Sequence, residues 1–422
     1  EVEILTLEDC LRIGIDNNLS LEGKRKEIQR SKYGVSENRS KLLPQINAIA
    51  GYSNNFDPPV SVTDGSSYGV PYNITQTLQH SANAGLEMQM PLFNQTLYTS
   101  MSIAKVMEEI SRLSYGKARE DVILQISKMY YLGQVTAEQI MLIKANITRL
   151  EELRDITQAF FDNGMSMEVD LKRVNINLEN LKVQYDNAQA MMKQQLNMLK
   201  YIMDYPAEKE IALTPVNTDS ITTVALTGLS ENIYELQLSQ SQVQLAERQK
   251  KIIANGYIPS LSLTGSWRYA AYTDKGYHWF HSGPSNQWFR SYGVGLTLRI
   301  PIFDGLDKTY KIKKAMIDIK NKRLAWEDAR KNLQTQYLNA VNDLMNNQRN
   351  FKKQKDNYLL AEDVYAVTSD RYREGIASMT EVLQDEMQMS EAQNNYISAH
   401  YNYRVTNLML LKLTGQIESL VK

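Results

Sequence analysis

The sequence predicts a mainly α-helical chain with a β portion suited to crossing a membrane, built as a tandem internal repeat. Three observations carry that expectation. The 10 prolines and 20 glycines are spread so unevenly that very long helices fit between them. The same residue blocks recur at an offset of 211 positions, as from Gly164 to Gly375. Four segments alternate apolar with polar side chains at the period of a strand.

The elements follow in chain order. A first helix is expected near Thr6–Lys41, then strands over about 44–56 and 81–92. In the second of these, Ala82, Ala84, Leu86, Met88 and Met90 alternate with Ser81, Asn83, Gly85, Glu87 and Gln89; the Ile46–Phe56 segment alternates more weakly. Leu97 to Phe161 has no proline and only Gly116 and Gly133, each tolerated in a helix at about 1 kcal/mol. Inside it, Val122, Ile126, Met129, Gly133, Thr136, Ile140, Ile143, Ile147 and Leu150 step by four and three, the seam of a coiled coil. Asn163-Gly164 breaks this helix and Met165–Tyr205 forms the return, so the first hairpin turns at 163–164.

The second half repeats the order. A helix near Leu229–Asn255 precedes strands over about 259–272 and 290–302. Leu306 to Glu374 then runs without glycine or proline, on the order of 100 Å at about 1.5 Å per residue, too long for a globular interior. Along it Tyr337, Leu344, Phe351, Tyr358, Tyr365 and Tyr372 recur every seven residues and keep one stripe against a partner. Glu374-Gly375 turns the chain into a last helix over Ile376–Thr414. The repeats are therefore 1–211 and 212–422. The 211 offset carries Leu171 to Val382, Tyr185 to Tyr396 and Leu199 to Leu410, and close offsets relate residues 85–94 (GLEMQMPLFN) to 295–304 (GLTLRIPIFD). Heptads alone do not explain those Pro-aliphatic-Phe-Asn/Asp blocks.

Strands of about 10 to 12 residues match a tilted crossing of a hydrocarbon layer. Alternation alone equally suits a soluble sandwich. Context favours the membrane: long loops join the strands, and the second holds Tyr277, Trp279, Phe280, Trp288 and Phe289, suited to an interfacial belt or to packing within the loop. Four strands cannot close a barrel, and open edges are intolerable in lipid. The chain must then borrow strands from copies of itself.

Composition removes other classes. With 47 basic against 48 acidic residues, no nucleic-acid-binding surface is announced. No run of about 18 apolar residues supplies a spanning helix, a criterion silent on β-barrels. Cys10 stands alone, so a disulfide scaffold within one chain is excluded and a small buried residue is its simplest role. Residues 1–20 hold no basic-then-apolar leader, and Glu1 reads as the start of a processed or trimmed chain. His80, His278, His281 and His400 make no metal motif, and the 18 methionines, Met88, Met90, Met191 and Met192 among them, read as packing rather than soft-metal ligands. There is no Gly-x-Ser-x-Gly elbow and no phosphate-cradling loop. Neither an enzyme nor a cofactor is expected.

The blocks Leu5-Thr6-Leu7-Glu8-Asp9-Cys10-Leu11 with Asn17-Asn18-Leu19, Leu42-Leu43-Pro44-Gln45-Ile46, Tyr257-Ile258-Pro259-Ser260-Leu261, Leu86 to Phe93 and Leu296 to Phe303, in this order of elements, resemble the TolC family of outer-membrane efflux proteins over essentially the whole chain. The resemblance implies a homotrimer whose four strands per chain make one 12-stranded β-barrel in outer-membrane lipid, extended by a helical α-barrel through the periplasm of a Gram-negative bacterium. It implies an equatorial region at about 204–228 with both termini. The implied role is a passive export duct that takes substrates from an inner-membrane pump through a periplasmic adaptor protein.

By that resemblance the hairpin turns form the periplasmic entrance. Asp170 stands six residues after Gly164 and Glu381 six after Gly375, where the family places acids, and Tyr372 matches a family tyrosine. Transfer implies a Tyr372–Asp170 hydrogen bond as a latch and a threefold ring of Glu381 carboxylates. Ala377 and Gln384 depart from the family pattern, with Asp385 and Glu386 as nearby acids. Helix-dipole stabilisation at about 0.3–1 kcal/mol explains Asp170 and Glu381 without a gate, and heptad packing explains Tyr372. Gly164 and Gly375 are the expected adaptor contacts, with helix termination as the plainer account. Glu87, Gln89, Arg268 and Arg299 are candidate lumen residues, against a solvated exterior. The rival to the whole reading is a soluble coiled-coil scaffold or filament subunit with a small β-sandwich.

Overall fold

The computed structural model describes residues 2–57, 60–72, 74–77, 79–215, 228–273 and 288–421. Seven helices and eight strands are found among them: β1 (Glu3–Leu5), α1 (Leu7–Asn17), α2 (Leu19–Ser40), β2 (Gln45–Asn54), β3 (Val60–Thr63), β4 (Ile74–Thr77), β5 (His80–Phe93), α3 (Gln95–Asp162), α4 (Glu168–Met203), β6 (Ile211–Leu213), α5 (Tyr234–Asn255), β7 (Ser260–Thr273), β8 (Trp288–Arg299), α6 (Asp307–Arg373) and α7 (Met379–Leu413). The chain divides into two compact units, each drawing on both sequence halves: Glu1–Ile28, Ile110–Gln240 and Arg323–Lys422 form one, Gln29–Glu109 and Ser241–Lys322 the other.

The two long helices, α3 with 68 residues and α6 with 67, run where glycine and proline are scarce. The helix expected over Thr6–Lys41 is instead two. Asn18 separates them: its Oδ1 accepts the Leu21 N–H at 3.1 Å and so caps α2, while its Nδ2 donates to the Ile202 carbonyl at the end of α4 at 2.7 Å. Thr6 and Asp9 form a capping box at the start of α1. Strands β1 and β6 pair in parallel and are too short to leave a periodic signal; β6 packs on α3 at Gly133, where a Cβ would stand 2.6 Å from Leu213 Cδ1. That glycine therefore leaves room for a neighbour as well as being tolerated in the helix.

In the first unit the predicted seam is buried. Val122, Ile126, Gly133, Thr136, Ile143 and Leu150 face inward, as do Leu344, Tyr365 and Tyr372 of the α6 row. One apolar cluster gathers Leu11, Leu21, Ile123, Ile126, Leu199, Met203, Leu408 and Leu410, with Cys10 fully buried beside them. Burial pushes the Cys10 thiol up to about 12, consistent with an inert packing residue. A second cluster, near the hairpin turns, joins Leu150, Leu153, Val174, Leu178, Tyr365, Tyr372, Val382 and Met389. Polar ties cross the helix seams between them: Asn146 donates to Gln393 at 2.7 Å, Arg149 to Glu362 at 2.5 Å and Tyr396 to Glu138 at 2.9 Å.

The second unit holds a four-stranded antiparallel sheet in the order β2-β5-β7-β8. All four strands were expected, with ends shifted by a few residues, and β8 stops at Arg299 rather than 302. The β3–β4 hairpin was not expected, because its four-residue strands are too short for a clear alternation. Tyr277, Trp279, Phe280, His278 and His281 lie outside the described residues, as does 216–227 of the equatorial region.

Both hairpin turns use one backbone device. Gly164 and Gly375 have φ of +74°; Gly164 donates to Phe161 and Met165 to Phe160, and Gly375 donates to Tyr372 and Ile376 to Arg371, at 2.8–2.9 Å. These are Schellman ends, in which a left-handed residue satisfies the last carbonyls. Gly375→Ala is expected to destabilise this hairpin by about 1–2 kcal/mol, the cost of a Cβ in left-handed backbone. Gly34→Ala, inside α2 with open space around the added Cβ, should instead stabilise by up to about 1 kcal/mol. Thermal unfolding of the two variants in one detergent reads the opposite signs.

Candidate functional site

Two regions bear on function, the faces of the sheet and the hairpin turns. In an antiparallel sheet, directly paired residues point to the same side. Leu86 pairs with Ala48 and Trp267, and Trp267 with Tyr292; Met88, Gly265 and Val294 align, as do Met90, Leu263 and Leu296. The other side aligns Asn47, Glu87, Ser266 and Gly293, then Gln89, Thr264 and Gly295, then Gly85, Arg268 and Ser291, with Arg299 opposite Ser260. All four candidate lumen residues, Glu87, Gln89, Arg268 and Arg299, thus share the polar side. Ile49, Phe289 and Tyr272 break the pattern there, and Arg290 breaks it on the apolar side, its guanidinium 6.0 Å from the Tyr292 ring.

On the polar side Arg268 donates to Glu87 at 2.6 Å. The two side chains are 43% and 46% exposed, so the pair contributes only about 0–1 kcal/mol. Its larger effect is to hold two opposite charges beside Asn47, Gln89, Thr264, Ser266 and Ser291 on this side. The apolar side is uncovered: on the edge strand β8, Tyr292 is 78% and Val294 79% exposed. Among the described residues no element is packed over that face of the strand, unlike the strands of a soluble sandwich. Both β2 and β8 are edges of the sheet.

At the turns the structure keeps the predicted residues close in sequence to Gly164 and Gly375 but does not make the predicted latch. Tyr372 is buried; its hydroxyl donates to Thr157 Oγ1 at 3.3 Å and its ring lies 5.6 Å from Phe160. Thr157 in turn donates to the Leu153 carbonyl at 2.7 Å. This satisfied chain inside the α3–α6 seam replaces the Tyr372–Asp170 bond, because the heptad position of Tyr372 points it at α3. Asp170 instead meets Arg173 at 3.4 Å, and Arg173 reaches Thr380 Oγ1 across to α7 at 3.4 Å.

Glu381 is the third residue of α7 and closes a capping box: its carboxylate accepts the Ser378 N–H at 2.9 Å and Ser378 Oγ accepts the Glu381 N–H at 3.3 Å. The Ser378-x-x-Glu381 spacing was legible as such a box. Of the two nearby acids, Glu386 does not join the turn surface. It is 5% exposed with Oε1 unpartnered, among the side chains of the second apolar cluster, and burial raises its pKa. The adjacent Tyr365 is pushed up to about 12 by burial and by Glu386. Around the turns, residues 149–174 and 361–387 carry 13 acidic against 6 basic side chains. Thr157 and Arg173 were missed in the sequence, and Glu386 was read there only as an acid near the turn, since only the helix packing tells which face each occupies.

With this geometry in view, comparison with known proteins decides the family. The outer membrane efflux protein family profile matches twice, over residues 13–203 and 226–416. The chain belongs to the outer membrane efflux protein family. The double match also accounts for the tandem repeat. Among curated relatives, it is 21% identical to outer membrane protein TolC of Vibrio cholerae over 399 residues, covering 91% of this chain and 84% of that one. It is 23% identical to the probable efflux pump outer membrane protein TtgC of Pseudomonas putida, covering 97% and 82%. Among solved structures, CusC superposes with a TM-score of 0.80 at 15% identity, covering 97% and 91%, and VceC of Vibrio cholerae with 0.76 at 13%, covering 97% and 96%. The solved structures establish the fold, and membership of the family places the chain in the outer membrane.

Two outcomes follow for the turn residues. Tyr372→Phe should cost about 1 kcal/mol through the lost bond to Thr157, whereas Asp170→Asn, on an exposed pair, should change stability by less than about 0.5 kcal/mol. A native latch between the two would give similar losses. For Glu386, whose folded pKa lies above its unfolded one, the sign is that stability is present at acid pH and lost as pH rises from about 4.5 through the raised value. The protection of α7 amides, measured as exchange relative to the intrinsic rate at each pH, should therefore fall as pH rises in the wild type, and Glu386→Gln should flatten that dependence.

Proposed function

We propose that three copies of this chain close their sheets into one 12-stranded barrel and act as a passive export duct of the outer membrane. The observation that carries this reading is the lone four-stranded sheet with two open edges and one uncovered apolar face. In lipid each unpaired backbone group costs several kcal/mol, so the edges must pair with other copies. Two copies would give eight strands, whose interior is filled by side chains; twelve leave room for water. The apolar side then meets lipid, and Glu87, Gln89, Arg268 and Arg299 line the water.

Assembly also explains a second stripe on α6. Leu338, Met345 and Leu359 follow the buried row by one residue and are 48–55% exposed, an apolar edge suited to a helix of the next copy. In this reading the helical hairpins continue the tube through the periplasm. Their turns form the entrance, with Gly164 and Gly375 at the contact with a periplasmic adaptor and the Asp170 and Glu381 carboxylates in the acidic rim. An excess of 13 acids over 6 bases per copy, repeated three times, draws cations to that mouth. Transport energy comes from an inner-membrane pump.

Purified from membranes, the protein should require detergent, run as a trimer and conduct ions in planar bilayers. A monodisperse monomer in plain buffer would instead establish the scaffold. The entrance is tested separately by Glu381→Gln, which preserves the capping acceptor while removing the charge. Reduced preference for cations supports the acidic rim; unchanged selectivity removes Glu381 from the gate and leaves the duct.

A further inference from the structure

The near-zero net charge conceals a segregation. The unit made of Gln29–Glu109 and Ser241–Lys322 carries 18 basic against 11 acidic residues, a net of +7, while the other carries 29 against 37, a net of −8. Within the positive unit, the strands and their loops, 45–93 and 260–299, balance at four against four. The entire excess therefore sits on the helical segments that enter and leave the sheet.

Its densest part is the start of α6. Lys308 is held by Asp304 at 2.9 Å and lies 5.0 Å from the Tyr257 ring; Lys311 pairs with Asp307 at 2.7 Å. Lys313 places its ammonium 5.5 Å from the Tyr310 ring, and it and Lys314 are exposed. Apolar side chains at this same end of the sheet are uncovered: Phe93, Tyr98, Tyr257, Ile302, Phe303 and Tyr310 are all exposed, Ile302 at 94%. Phe93 is level with Leu261 on the apolar side of the sheet, and its ring meets Tyr98 at 6.5 Å. On α6, Tyr310, Lys313, Lys314 and the exposed Ile317 share one helix face, opposite the buried Ala315 and Ile319.

The sequence of surfaces is thus apolar sheet, then aromatic and aliphatic residues, then lysines whose stems run beside apolar neighbours. A barrel wall meets hydrocarbon, interface and headgroups in that order. We infer that the start of α6 with these flanking residues is a collar that binds the phosphate headgroups of acidic phospholipids at the helix-side surface of the membrane. This rests on the outer-membrane reading above. A water-filled lumen is the less suitable setting, since it would leave Tyr310, Ile317 and Ile302 uncovered, whereas an interface covers apolar stems and ring faces while neutralising the lysines.

The test uses the full-length protein in detergent, with phosphatidylglycerol and phosphatidylcholine as probes and native mass spectrometry as the readout. The triple variant Lys311→Gln, Lys313→Gln, Lys314→Gln is compared with Lys352→Gln, Lys353→Gln on the same helix in the other unit. The wild type and the control should retain phosphatidylglycerol over phosphatidylcholine. At low salt the triple variant should bind phosphatidylglycerol at least about tenfold more weakly, each lysine near an anionic surface contributing about fivefold, and high salt should erase the difference. Equal retention by the triple variant overturns the collar. So does unchanged lipid retention with altered ion selectivity in planar bilayers, which would put the lysines on the lumen. A wild type that conducts but does not discriminate between the lipids defeats this inference alone; one that is a soluble monomer defeats the duct.

Discussion

The constraint on which the molecule depends is the hydrogen bonding of two sheet edges. Strands β2 and β8 each present a row of amide and carbonyl groups without a strand partner among the described residues. In water such an edge is a liability; in hydrocarbon it is prohibitive. Most of the sheet agrees with the proposed closure in lipid, Arg290, Ile49, Phe289 and Tyr272 being exceptions. The register puts Leu86, Trp267 and Tyr292 together on one side and Glu87, Ser266 and Gly293 on the other, so in that proposal one set goes to lipid and the other to water.

The helices answer a different problem. A chain with about 70 residues in one helix has few ways to bury its apolar stripes except against equally long neighbours. Here the seam is apolar at its clusters, a smaller one around Val135, Tyr396 and Ile397 included, and carries polar ties between them, where Asn146 meets Gln393 and Arg149 meets Glu362. Such satisfied pairs add little net stability, about 0.5–1.5 kcal/mol for a hydrogen bond, but a slip of register along the seam would leave several of them unpaired at once. Long, repetitive heptads are prone to such slips. The polar ties thereby act on specificity more than on strength, a role also served by the aromatic stack in which Phe351 lies 5.8 Å from both Tyr396 and Tyr403.

Much of this was legible in the sequence, for identifiable reasons. Helices separated by scarce glycine and proline, and strands of ten or more alternating residues, produce long signals, so α3, α6, β5 and β7 were found nearly to their ends. The repeat was legible because Pro-aliphatic-Phe-Asn/Asp blocks resist chance. Short elements held by distant partners were not: β1 and β6 exist through each other, and the Asn18 break depends on the Ile202 carbonyl. The site was legible as a set of positions and less so as contacts. Glu87 and Arg268 fell on the expected side because strand period fixes side. Tyr372 met Thr157 instead of Asp170 because facing residues in a helix seam depend on crossing geometry that no spacing in one helix encodes.

The hairpin ends are built differently from the rest of the first unit, and that bears on how a passive duct can open. Beyond the second apolar cluster, the turns themselves are ordered by left-handed glycines, a capping box and ion pairs such as Asp170–Arg173, each worth about 2 kcal/mol or less. Glu386 adds a buried carboxyl with no partner, which weakens the α6–α7 packing whenever it is ionised. Local opening follows local stability, and segments with few strong ties are those that move. In the duct proposed above, motion is expected to concentrate at the turns, where a partner protein would supply only the difference between closed and open packing. Binding energy of a few kcal/mol would be enough for that, so the duct proposed above asks for no energy conversion by this chain at its entrance.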